Sequence, residues 1–82
     1  MDKAKYLLAK KNGKLEKLRS DEVARRVCKK YSYNDQIDVL ADKDTKPDEW
    51  NAYQAFRAKV KAEVDKEISA LEEEQTNAIH TT

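Results

Sequence analysis

The strongest constraint on this fold is a long run without a helix breaker. From Asp48 to Glu74 there is neither Gly nor Pro, and Trp50, Tyr53, Phe56, Val60, Val64, Ile68 and Leu71 recur at three- and four-residue spacing. That spacing marks one face of an α-helix. Pro47, with Asp48 and Glu49 behind it, reads as the first turn, capped by Thr45 or Lys46. Proline there gives up no helical hydrogen bond, and acids suit the positive end of the helix. With a rise of about 1.5 Å per residue, the helix to Glu74 spans about 40 Å. In a chain of 82 residues, little remains to cover such a stripe.

Two shorter helices are expected before it. Ser20 is a good N-cap, and Asp21 and Glu22 suit the first turn of a helix. Val23, Val27 and Tyr31 then share one face, with Ala24 and Cys28 beside them as small core residues. Arg25, Arg26, Lys29 and Lys30 fill the opposite arc, and these four are the candidate anion-binding residues. Ser32 and Asp35 have capping-box spacing and open a third segment with Ile37 and Leu40, Val39 at the side, ending near Asp42. Each short helix is about 15 Å long, enough to cover only half of the stripe. Trp50, Tyr53 and Phe56 are therefore expected in the internal core. Arg57, Val60, Val64, Glu67, Ile68 and Leu71 are expected to meet a partner, with Arg57 and Glu67 rimming the seam.

The first segment, KYLLAKKNGKLEKLRS, reads two ways. Asn12-Gly13 between two short runs is a hairpin signal, since both turn positions need positive φ. Tyr6, Leu8 and Leu15 would then share a face. Leu8, Leu15 and Leu18 also fit a helical stripe, and Leu, Ala, Lys and Glu favour helix. The sequence favours a hairpin over residues 5–18, and a helix is the alternative. A hairpin folded over the distal stripe would remove the need for a partner there. The fold class is mainly α: two short helices and one long amphipathic C-terminal helix, with an N-terminal β-hairpin, or all-α. Residues 1–74 form one small domain, and 75–82 read as a polar, flexible tail.

Composition narrows the functions. Charged residues make up 40% of the chain and mean hydropathy is -1.01, so a thin core under a broad solvated surface is expected. One cysteine excludes an intrachain disulfide, and the absence of an apolar signal segment or span predicts neither signal-peptide export nor a membrane partner. Charge is unevenly placed. Residues 1–33 hold eleven Lys/Arg and four Asp/Glu, a net of +7, whereas residues 34–82 hold six and twelve, a net of -6. Such a split suits an anionic partner for the first half, contact between unlike halves, or two solvated faces.

Residues for catalysis are few. His80 is the only histidine and falls in the predicted tail. Cys28 has no histidine nearby to activate it. Asp42, Asp44, Asp48 and Glu49 superficially suggest a cation loop, but Lys46 stands where a calcium loop needs an oxygen ligand, and Pro47 where it needs glycine. Glu63 and Glu67 show no reason for a shifted pKa. No metal, cofactor or catalytic residue is expected. A helix, the turn YSYN and a short second helix superficially suggest a helix-turn-helix, yet Gln36, Asp38 and Asp42 would read DNA poorly. Phosphate contact through the basic helix remains the nucleic-acid alternative.

Residues 29–64, KKYSYNDQIDVLADKDTKPDEWNAYQAFRAKVKAEV, resemble a segment of small proteins encoded by tailed bacteriophages. The shared pattern is carried by Lys30, Tyr31, Ser32, Asp35, Gln36, Ile37, Lys43, Asp48, Glu49, Tyr53, Phe56, Lys61, Ala62 and Glu63. The resemblance covers less than half of the chain, and the N-terminal third has no counterpart. It implies a virion structural or assembly component, located in the virion or host cytoplasm, with no catalytic residues to carry over. The sequence thus predicts a non-enzymatic interaction protein that binds other virion proteins or itself as a homo-oligomer. The alternative is a small nucleic-acid-binding or regulatory, inhibitory phage protein using the basic half.

Overall fold

A computed structural model of the chain describes residues 1–80, with side chains to Gln75. Four helices follow one another: α1 (Lys3–Lys11), α2 (Leu15–Lys30), α3 (Tyr33–Ala41) and α4 (Pro47–His80). The fold is mainly α, with no strand among the described residues, and the expected N-terminal hairpin is replaced by two helices.

The Asn12-Gly13 signal was real but served another turn. Asp2 caps α1 by accepting from the Ala4 amide at 2.9 Å. At the other end Gly13 adopts φ 70°, the Lys14 amide donates to the Ala9 carbonyl at 2.8 Å and the Gly13 amide to Lys10 at 3.3 Å. This is the paired bonding of a Schellman helix stop, which needs the same positive φ that a hairpin needs. Helix-forming residues on both sides decide between the two. Helix α2 accordingly starts at Leu15 rather than Ser20, leaving Ser20 and Asp21 inside the helix, and has 16 residues rather than about three turns. The Ser32–Asp35 capping box forms as expected. Helix α4 continues past Glu74 to His80, so the part of the predicted tail before residue 81 is helical. Residues 81–82 and the His80 side chain lie outside the described part.

Helices α2 and α4 run antiparallel. Arg19 near the start of α2 meets Asp65 at 3.0 Å, while the Tyr31 ring at its end lies 5.1 Å from Tyr53 and 5.6 Å from Phe56. The α1–α2 pair therefore covers the distal half of α4, and α3 sits on its proximal half. Tyr6, Val27, Tyr53, Val60, Val64 and Ile68 form the buried core, with Trp50, Phe56 and Leu71 half-buried around it. The result is a rod of 58 × 19 × 17 Å.

The partner stripe is thereby corrected. Val60, Val64 and Ile68 are buried inside the chain, Leu71 is half-buried, and Glu67 is engaged by Arg26. The reason is length: α2 alone reaches about 24 Å, and α1 adds a second covering helix. Two smaller expectations also change. Cys28 is exposed rather than in the core, and Ile37 and Leu40 face outward while Gln36 and Val39 turn inward.

Part of the charge split is satisfied within the chain. The first half reaches the second through Arg19–Asp65, Arg26–Glu67, Lys3–Glu74 and the Met1 amino group on Glu67. Unlike halves of one molecule meet.

Candidate protein-docking surface

Helix α3 is held by polar contacts and leaves its apolar side in the open. Ser32 accepts from the Asp35 amide at 3.1 Å, and the Asp35 carboxylate accepts from the Ser32 amide at 3.1 Å. Gln36 anchors the helix to its neighbours: its Oε1 accepts from the Tyr53 hydroxyl at 2.7 Å and its Nε2 donates to the Tyr31 carbonyl at 3.1 Å. Val39 packs on the core from the same side. At about 3.6 residues per turn, this orientation puts Tyr33, Ile37 and Leu40 together on the adjoining, outward-turned arc. They are 74%, 47% and 52% exposed.

Three large apolar side chains on one arc of a nine-residue helix are unusual surface for so charged a protein. Tyr33 also borders a groove of about 510 Å³ between α2 and α4, whose wall includes Val23, Cys28, Gln36 and Arg57. Of the six residues expected to meet a partner, Arg57 is the one that stays exposed beside this surface, its guanidinium 6.0 Å from the Tyr53 ring. Ridge and groove together offer the relief of a protein-binding site. The sequence contained the signal. Ile37 and Leu40 were visible as an apolar pair, but periodicity alone does not say which side of a short helix meets the core.

The basic face is less available than its composition suggests. Arg25 and Arg26 both bond Glu22, and Arg26 also grips Glu67 through two nitrogens. The Arg25 guanidinium foremost, with Arg26 beside it, holds the Glu22 carboxyl down at about 2, against partial burial that pushes it up. The Arg26 guanidinium, joined by the Met1 amino group, holds Glu67 at about 2, contrary to the expectation for that residue. Lys29 is exposed, and the Lys30 ammonium lies 4.6 Å from the Phe56 ring centre. Two of the four candidate anion ligands thus spend their donors on carboxylates of the same chain.

Among the described residues no group of three His, Cys, Asp or Glu is placed to hold a metal ion, and no helix is long and apolar enough to cross a membrane. Comparison of the chain with protein families, with characterised proteins and with solved structures gives no match.

Proposed function

We propose that the chain is a non-enzymatic protein-binding component whose docking element is α3. The observation that carries this reading is the exposure of Tyr33, Ile37 and Leu40 on a helix that is capped at its start and anchored along the neighbouring flank by Gln36. Covering the part of each side chain that is still exposed would add about 1–2 kcal/mol of driving force apiece. A pre-formed helix needs little further ordering to bind.

The resemblance of residues 29–64 to small tailed-phage proteins supports a virion structural or assembly role, in the particle or the host cytoplasm. Several residues of that pattern have a physical task in common. Ser32 and Asp35 cap α3, while Gln36, Tyr53 and Tyr31 seat it on α4. The pattern describes how α3 is presented.

The test is co-purification from phage-infected cells, including purified particles, with wild type compared with an Ile37→Asp, Leu40→Asp variant. A defined protein retained by wild type and lost by a variant of unchanged helicity supports the reading. Absence of the wild-type chain from every particle and complex refutes it, as does equal retention of both forms.

A further inference from the structure

The groove beside Tyr33 has an apolar floor and a basic wall. It follows α2 from Glu16 to Cys28, about 18 Å of helix. On its floor Val27 is buried and Val23 half-buried. The α2 wall is low, built from the small exposed residues Ser20, Ala24 and Cys28. Helix α3 closes one end, where the Gln36 amide nitrogen lies 3.5 Å from the Cys28 sulfur. The α4 wall carries Arg57 and Lys61, both exposed and one helical turn apart. Neither meets a carboxylate among the described residues. Asp65, one turn beyond Lys61, faces Arg19 at 3.0 Å instead, and Arg19 also holds Glu16 at 2.6 Å. Arg19, Arg57 and Lys61 thus line the groove against Glu16, a net of +2. Like charges four residues apart repel along a helix, so Arg57 and Lys61 work against α4 until an anion joins them.

We propose that this groove receives an acidic amphipathic helix of another protein. The apolar side of that helix lies on Val23, Val27 and the Tyr33 ring, and two of its carboxylates, one turn apart, face Arg57 and Lys61. This rests on the reading of α3 and its flanking groove as a docking surface, and it supplies the partner's chemistry. A helix suits the site because two packed helices leave a straight furrow, and small residues on one wall let a third come close. The apolar floor favours protein over nucleic acid, whose phosphates stay solvated and call for longer runs of cations than two. Copies of this chain match the groove poorly. Leu7 and Leu8 are exposed on α1, a helix with four lysines and no acid. On α3 the aspartates Asp35 and Asp38 lie on the arc opposite Tyr33, Ile37 and Leu40. Apolar contact supplies most of the affinity, while the two charge pairs select acidic helices over basic ones.

The test selects on the full chain from a displayed library of helical peptides randomised at every outward position. Retained sequences should combine an apolar stripe with two acids one turn apart at its edge. Such a peptide should bind the double variant Arg57→Glu, Lys61→Glu about tenfold more weakly or worse, with wild-type helicity in the variant. Changing the two peptide acids to Lys should restore binding to that variant and weaken binding to wild type. Ala24→Trp fills the opening, leaves every charge in place and should also block the peptide. An empty selection, retained peptides without acids, or acidic peptides indifferent to Arg57 and Lys61 overturn the proposal. A DNA oligonucleotide that binds wild type and is lost with the same two charges also overturns it, assigning the wall to phosphate. Self-association lost with those charges overturns it in favour of a second copy. Peptides that ignore both charges yet need Ile37 and Leu40 overturn the groove assignment and leave α3 as the docking element. Peptides that need Arg57 and Lys61 but tolerate Ile37→Asp with Leu40→Asp uphold the groove and count against the α3 ridge.

Discussion

Replacing Val64 by Asp separates an internal stripe from a partner seam. Val64 is 0% exposed, within the cluster of Tyr6, Val27, Val60 and Ile68. Losing a buried valine costs about 1.5–3 kcal/mol of apolar burial. Placing a polar carboxyl there adds about 1–3 kcal/mol, even after it takes up a proton. A chain of this length has about 4–12 kcal/mol to lose, at about 0.05–0.15 kcal/mol per residue. At the middle of these ranges the substitution removes about half of the stability. Val64→Ala provides the graded control: two carbon groups at about 0.8 kcal/mol each, with a small cavity, give about 2 kcal/mol. In urea titrations followed by far-ultraviolet circular dichroism, the alanine variant should shift the midpoint down by about 1–2 M. A Val64→Asp protein that keeps the wild-type midpoint and changes only its mass in solution would refute the reasoning, because Val64 would then face a partner.

Two further outcomes follow from polar groups around the same core. The Tyr6 hydroxyl is buried without a hydrogen-bond partner among the described residues. Tyr6→Phe should be neutral or stabilising by about 1 kcal/mol, and a loss of more than about 1 kcal/mol in a urea melt would show that the hydroxyl is satisfied. Glu22 and Glu67 are both held at about 2 against an ordinary 4.5. A depressed carboxylate stabilises fully above its unfolded pKa, and that contribution fades as pH falls toward the folded value. Stability should thus drop between about pH 4.5 and 2, by about 1–2 kcal/mol for the two together after solvent screening. Glu67→Gln should flatten part of that slope in melts taken across this pH range.

The long helix was legible because proline, an acidic first turn and an uninterrupted stripe all indicate the same element. The capping box at Ser32 was legible for the same reason: the side chains that make it lie three residues apart. What the sequence left open is instructive in physical terms. A positive φ at Gly13 is required by a hairpin and by a helix stop alike, so Asn12-Gly13 alone does not choose between them. Reading a hairpin shortened α2 and removed α1, and the missing cover then appeared as a partner surface at Val60, Val64 and Ile68. The orientation of α3 was hidden because Gln36, a polar residue, is its anchor. Hydrophobic periodicity points Ile37 and Leu40 inward, whereas the bond from Tyr53 to Gln36 turns them out. Ion partners 41 residues apart, such as Arg26 and Glu67, leave no local pattern to read.

The pairing of early with late residues has a consequence for synthesis. Lys3 bonds Glu74 and Arg19 meets Asp65, so α1 and α2 find their seat only after most of α4 has left the ribosome. The helical hairpin can close locally beforehand, since its turn and caps draw only on neighbouring residues. Until then Tyr6 and Val27 have no α4 to pack against. A nascent chain halted before Val60 would present that bare apolar face to chaperones and proteases, which makes completion of the last helix the step that commits the molecule to its fold.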